Sequence, residues 1–179
     1  MAIIYKNLEA SVRKNMLSEL ERDIHERCLY ISPRLTDDGA KQWPQILSEA
    51  FKQHDDQWVA QELRSKNLIN SEEQRQKPKG GFTTAKIPVT APETLAEGEF
   101  NRFYIRGLCV DVINSGDDLI EVYRGKEVSN PRSESEAMIG KQVSAKDLLN
   151  DLRVSTGVDT ALGLPSGPNS GLTICRINK

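Results

Sequence analysis

Apolar residues recur at helical spacing through the first third of the chain. Between Leu8 and Tyr30 they return every three or four positions with charged residues between them, which predicts an amphipathic helix. The Thr-Asp-Asp-Gly stretch at residues 36–39 begins a second helical pattern, and the acidic pair Asp55–Asp56 begins a third. We therefore expect residues 1–70 to form a helical unit.

The helical pattern stops between residues 70 and 92. Residues 71–81 are polar, contain proline and glycine, and show no apolar period, which is typical of a linker. Residues 82–89 are β-prone, but Pro88 confines them to a sheet edge or to an extended conformation against a partner. Residues 71–92 are thus predicted to be an extended arm or linker.

Two interpretations of this arm remain open. It is either a surface loop packed on its own domain or a segment that lies across a neighbouring subunit. In the second case the side chains that bind the partner would be Phe82, Ile87 and Val89.

The least polar long stretch, residues 98–113, predicts the body of a long helix. Threonine, proline and glutamate at residues 90–93 have the spacing of a capping box and indicate where this helix begins. The helix is apolar on most faces, so we expect it to be buried between layers. Gly107 in its interior costs about 1 kcal/mol of helix propensity relative to alanine, which indicates another element crossing closely there.

Two arginines, Arg102 and Arg106, lie one turn apart in this apolar helix. An isolated buried charge is costly, so each must reach solvent, a carboxylate, a bound anion or a partner. Both are therefore candidate partner-binding residues alongside the three apolar positions of the arm.

The rest of the chain predicts a small sheet. Residues 119–124 and 172–177 have the β-branched content and alternation of strands, and two helical segments lie between them. Residues 163–171 are rich in glycine and proline but lack the lysine and hydroxyl of a phosphate-binding loop, so we interpret them as a rigid connector. Whether a ligand binds this connector stays open.

The predicted fold class is α+β. A helical unit (1–70) and an extended arm (71–92) precede a C-terminal α+β domain (93–179), which has a buried long helix and a small antiparallel sheet.

Composition narrows the function further. Hydrophobic residues are 37% and aromatic residues 6%, which indicates a modest, mostly aliphatic core. A net charge of −2 provides no overall field that favours DNA or an anionic membrane. Three cysteines without a CxxC pair, and two histidines, argue against a disulfide framework and against a structural zinc site. We expect no membrane span, no catalytic residues, no cofactor and no metal, and hence no enzyme.

A nucleic-acid-binding accessory protein is the alternative. Its binding residues would be Arg102, Arg106, Arg124, Arg132, Lys77 and Lys79. Such binding would weaken steeply with salt.

Three strings of the sequence resemble uncharacterised proteins of tailed bacteriophages and prophages: residues 96–107, 130–136 and 163–171. The likeness is best in the C-terminal half and carries no catalytic motif. It implies a virion or prophage setting. We therefore expect a structural or assembly protein, associated with a virion or capsid and located in the bacterial cytoplasm or the virion. Its expected partners are protein subunits, either its own copies or a capsid-type lattice.

Overall fold

The computed structural model describes residues 3–78, 80–155 and 170–177. The helices of this part are α1 (Ala10–His25), α2 (Asp37–Gln53), α3 (Asp56–Ser65), α4 (Ala91–Asn114), α5 (Ser133–Glu136) and α6 (Ala145–Val154). The strands are β1 (Glu72–Gln76), β2 (Phe82–Lys86), β3 (Leu119–Arg124), β4 (Gln142–Ser144) and β5 (Leu172–Arg176). The predicted α+β class is confirmed. Most of the predicted connector, residues 163–169, lies outside the described residues.

Helix α4 is the central element of the fold. It packs against α1, α3 and α6 and against the sheet formed by β3 and β5. Its aromatic side chains are almost fully buried, and Phe100 meets Phe51 of α2 edge-on with ring centroids 5.5 Å apart. The hydroxyl of Tyr104 donates to the carbonyl of Ile174 on β5 at 3.1 Å. The prediction of a long buried helix is therefore confirmed.

Gly107 is the point where α1 crosses α4. A Cβ atom added at Gly107 would lie 2.7 Å from Cγ of Met16 and 2.8 Å from the carbonyl oxygen of Val12. Only glycine allows the two backbones to approach so closely. The predicted packing reason for this glycine is confirmed, and the crossing element is a helix.

Helices α2 and α3 begin where the sequence predicts, and a side chain caps each of them. The hydroxyl of Thr36 accepts a hydrogen bond from the backbone N–H of Gly39 at 3.0 Å, and the carboxylate of Asp55 accepts one from Trp58 at 2.9 Å. Each bond satisfies a backbone donor that the first turn of a helix leaves without a partner.

The end of α1 and the cap of α4 differ from the prediction. Helix α1 ends at His25 instead of Tyr30, because Arg27 adopts a left-handed φ of 56° and turns the chain away. The capping box proposed for α4 is wrong, since Thr90 makes no side-chain cap hydrogen bond. The proline in the first turn still fixes the start of α4 there.

The described strands form two separate sheets. Strand β3 is central in an antiparallel sheet of order β4-β3-β5, whose inner face covers α4. Strands β1 and β2 pair only with each other. Buried apolar residues of α1–α3 and of α4, α6 and β5 belong to one continuous cluster, so residues 1–70 and 93–179 share a core. Among the described helices, none is both long and apolar enough to cross a membrane.

Candidate protein-interaction surface

Strands β1 and β2 form a hairpin, residues 72–86, that stands apart from the main sheet. Its turn is closed by a hydrogen bond from Lys77 N–H to the carbonyl of Gly81 at 2.9 Å, and Gly80 and Gly81 adopt φ values of 89° and 80°. Glycine reaches these values without the steric cost that a side chain imposes. The predicted extended arm is therefore an ordered two-stranded ribbon.

The hydrogen bonds at its two ends fix which backbone groups of the hairpin point outward. Lys77 donates to Gly81 at the turn, and Ile87 donates to Ser71 at the base. In an antiparallel ladder, bonded and non-bonded residue pairs alternate. The residues at 73, 75, 83 and 85 therefore bond across the hairpin. Those whose N–H and C=O groups point away from it are Glu72, Gln74, Gln76, Phe82, Thr84 and Lys86.

The side chains of these six residues share one face of the ribbon. The amide of Gln74 confirms the arrangement, since its Nε2 donates to Oγ1 of Thr84 at 2.9 Å across the strands. Phe82 on this face is 70% exposed. The opposite face carries Glu73 and Ala85, which are partly buried against the body of the protein. Hence β2 offers an aromatic side chain and a line of backbone donors and acceptors on its outer edge.

Two arginines of the body, Arg34 and Arg64, bond to the chain on either side of β2. The Nε of Arg34 donates to Oε2 of Glu73 at 2.7 Å, and hydrogen bonds from Arg34 and Arg75 lower the pKa of the Glu73 carboxyl. Beyond β2, the guanidinium of Arg64 donates to the carboxylate of Glu93 and to the carbonyl of Val89, each at 2.6 Å. The side chain of Val89 is 82% exposed, whereas Ile87 is partly buried.

Arg106, one of the two arginines of α4, is fully buried inside the protein. Its Nε donates to Glu19 at 2.9 Å, and its Nη1 donates to Asp23 at 2.6 Å. Burial alone would lower the pKa of Arg106, but its hydrogen bonds and its attraction to Asp23 and Glu19 raise it. Arg153 of α6 also donates to Glu19, at 3.0 Å from Nε. This cluster of charges therefore joins α1, α4 and α6.

Arg102 is also buried. Its Nη2 donates to the carbonyl of Ser155, while its Nε has no hydrogen-bond partner. Glu99 lies one turn away with a buried Oε2 that has no partner either. Burial raises the pKa of Glu99 to about 7, although Arg102 and Arg106 act in the opposite direction. Neither arginine reaches the surface, and so neither joins the three apolar positions near the hairpin.

Sequence reasoning missed the carboxylates that pair with Arg106. A signal was present, because Glu19 and Asp23 are four residues apart on α1, as Arg102 and Arg106 are on α4. Both carboxylates bond to Arg106, whereas Arg102 bonds to the carbonyl of Ser155. The close crossing at Gly107 brings α1 near enough to α4 for these bonds to form.

A polar groove of about 520 Å³ lies between α3 and the start of α4. Burial, with nearby Glu97 and Asp55, raises the pKa of Asp56 in this groove to about 6. Two other carboxylates of its wall are already paired, Glu93 with Arg64 and Glu97 with Lys126. No group of three histidine, cysteine or acidic residues within the described chain is placed to hold a metal ion.

The described basic residues of the nucleic-acid alternative do not form one exposed surface. Arg102 and Arg106 are buried, and both terminal nitrogens of Arg124 are buried without a hydrogen-bond partner. Lys77 and Arg132 are exposed, and Lys79 lies outside the described residues.

Comparison with known proteins assigns no family. No protein-family model matches the chain, and no curated protein or solved structure matches it.

Proposed function

We propose that this chain is a non-enzymatic assembly protein, associated with a phage virion or capsid, that binds a neighbouring protein subunit through the hairpin. The observation that carries the proposal is the open outer edge of β2, where Phe82 is 70% exposed and Val89 follows at 82%. The phage setting rests on the resemblance of residues 96–107 and 130–136.

A free strand edge is a template for another strand. Soluble proteins commonly protect such edges with short strands, charged side chains, proline, bulges or a covering element, because an open edge pairs with other chains. Of these, β2 has a short length and one charged side chain, Lys86. No proline interrupts β1 or β2, and the register between them is regular, without a bulge. A partner strand that adds to the edge gains main-chain hydrogen bonds, and the exposed side chains select it.

An isolated two-stranded hairpin is also marginally stable in water. Here the ion pair between Arg34 and Glu73 holds its base to the body, although little of its surface is buried. This arrangement favours a binding element, because the hairpin is presented by the body without adding to its core.

The test replaces residues 72–86 with a short glycine–serine linker. The Ile87–Ser71 hydrogen bond shows that the two ends already lie side by side, so the linker closes without strain. We expect unchanged helical circular dichroism, because the core lies elsewhere. In cells producing the phage that encodes the chain, the deleted form should be missing from particles purified by density gradient. Equal amounts of deleted and full-length protein in the particles would contradict the proposal.

A matched pair of point variants refines this test. Val89 and Val154 are 82% and 83% exposed, but only Val89 adjoins the hairpin. We expect Val89→Ser to reduce incorporation into particles and Val154→Ser to leave it unchanged. Equal effects of the two variants would indicate general surface hydrophobicity instead of a specific contact.

A further inference from the structure

We infer that the subunit bound at the hairpin is a second copy of this chain, joined through antiparallel pairing of β2 with β2 about Thr84. This inference rests on the proposed function and specifies its partner. The two hairpins would form one ribbon of order β1-β2-β2-β1.

Strand β2 is better suited to pairing than β1. It contains Phe82, Thr83 and Thr84, which are residue types that favour strands, and it carries no acidic side chain. Strand β1 reads Glu-Glu-Gln-Arg-Gln, which has low strand propensity. Its Glu73 is already held by Arg34 of the body. The edge that is open and β-prone is therefore that of β2.

The direction of the backbone groups and the length of the overlap together select the register. Phe82, Thr84 and Lys86 point their N–H and C=O groups outward, whereas Thr83 and Ala85 use theirs within the hairpin. With Thr84 opposite Thr84 of the second copy, Phe82 lies opposite Lys86, and every outward group meets a complementary one. Centring the pair on Thr83 or on Ala85 would also join outward groups, but it would pair only two of the three outward residues of each copy. Centring it on Phe82 or Lys86 would shorten the overlap.

The side chains are complementary in the same register. Lys86 meets the ring of Phe82 from the other copy, so a cation faces an aromatic side chain. Within its own hairpin Lys86 lies across from Glu72, which brings an opposite charge into the same row. The two copies of Lys86 are separated by four residue positions along the ladder, roughly 13 Å, so they repel each other little.

The contact is small. A sheet that is stable on its own needs three or more strands and a hydrophobic face. The joined ribbon has four strands, but Phe82 is the only large apolar side chain of β1 and β2, so each hairpin still depends on its own body. The area covered by one strand pair is nevertheless below that of a typical stable dimer. We therefore expect reversible self-association that depends on concentration, as suits a subunit that assembles where its copies are crowded.

Cysteine cross-linking tests the register. In a background with Cys28→Ser, Thr84→Cys places two thiols on residues that face each other about 5.5 Å apart at Cα, within the range of a disulfide. Thr83→Cys is the matched control, because its side chain lies on the other face and one position out of register. Under mild oxidation we expect a covalent dimer from Thr84→Cys and monomer from Thr83→Cys. Equal cross-linking of the two, or none from either, would overturn the inference.

Light scattering after size exclusion separates this inference from the proposed function. Wild-type protein should move from monomer to dimer as its concentration rises, whereas Thr84→Pro, which removes only an outward N–H, should stay monomeric with its fold retained. If wild type stays monomeric but particles still exclude the hairpin deletion, the partner is another protein and the self-pairing inference fails alone. If the deletion also changes nothing in the particles, both fail.

Discussion

Nη2 of Arg106 on α4 lies 2.7 Å from Oε2 of Glu19 on α1, and the two side chains are 0% and 6% exposed. The pair links helices that are far apart in sequence. Asp23 on α1 is a second carboxylate against the guanidinium, and Arg153 of α6, which pairs with Glu19, balances the charge of the cluster. Taking such charges out of water is expensive, so the arrangement persists only while all partners are present.

Removing the arginine should therefore be strongly destabilising. We expect Arg106→Met to lower the free energy of unfolding by about 3–5 kcal/mol, because Glu19 and Asp23 would remain buried with much of their charge uncompensated. Urea denaturation followed by circular dichroism measures the loss. The control is Lys41→Met, which breaks an exposed pair with Asp38 and should change stability by no more than about 0.5 kcal/mol. A similar small change in both variants would mean that the buried cluster is not important for stability.

The two glycines of α4 should respond in opposite directions to alanine. Gly107→Ala forces a methyl group against Met16 and the backbone of α1, and we expect a loss of about 1–3 kcal/mol from overpacking. Gly98→Ala meets nothing within 4 Å and should gain up to about 1 kcal/mol from helix propensity. Thermal denaturation of the two variants measures both effects. Stabilisation by both would show that the helices do not cross closely at Gly107.

Glu99 should make the stability of the protein depend on pH. Burial raises its pKa to about 7, so between its usual pKa and pH 7 the folded state holds a proton that the unfolded state has released. Stability therefore falls as pH rises through this window, and the cost is fully present above pH 7. Glu99→Gln removes this cost.

The measurement compares urea denaturation at pH 5 and pH 8. At each pH we take the free energy of unfolding of Glu99→Gln minus that of wild type. We expect this difference to be larger at pH 8 than at pH 5 by roughly 2 kcal/mol. Asp56, whose pKa is raised to about 6, titrates in the same way in both proteins and cancels in the comparison. Glu21→Gln, at an exposed position of α1, serves as the control and should show no such difference. An equal effect of Glu99→Gln on stability at both pH values would show that the pKa of Glu99 is not raised in the folded protein.

The three cysteines should differ in reactivity. Cys109 and Cys175 are buried and Cys28 is partly exposed, and burial raises the pKa of all three thiols. The reactive thiolate is therefore scarce at neutral pH. We expect Ellman's reagent to label at most one thiol per chain, slowly, in the native protein and three in denaturant. Cys28→Ser should abolish the native reaction, and rapid labelling of two or three native thiols would contradict the burial.

The sequence predicted the parts of the fold in which local pattern and packing agree. The burial of α4, the starts of α2 and α3, and the close packing at Gly107 were each predicted from residues near one another in the chain. The end of α1 was misplaced, because the apolar pattern continues past the left-handed turn at Arg27.

Strand β1 could not be recognised from its sequence. A strand that buries no apolar side chain shows no alternation of apolar and polar residues, so the Glu-Glu-Gln-Arg-Gln stretch looks like a linker. Its structure comes from pairing with β2 and from the Arg34–Glu73 contact, which joins residues far apart in the chain. The partners of Arg106 were missed for the same reason, since Glu19 lies on another helix.

Amide hydrogen exchange at the adjacent threonines of β2, measured by NMR at several protein concentrations, tests the role of the hairpin edge most directly. The N–H of Thr83 bonds within the hairpin and should be protected at every concentration. The N–H of Thr84 points outward and should exchange rapidly in dilute solution, then become protected as the concentration rises and the edges pair. An amide of Thr84 that exchanges rapidly at all concentrations, or that is protected even in dilute solution, would contradict the account.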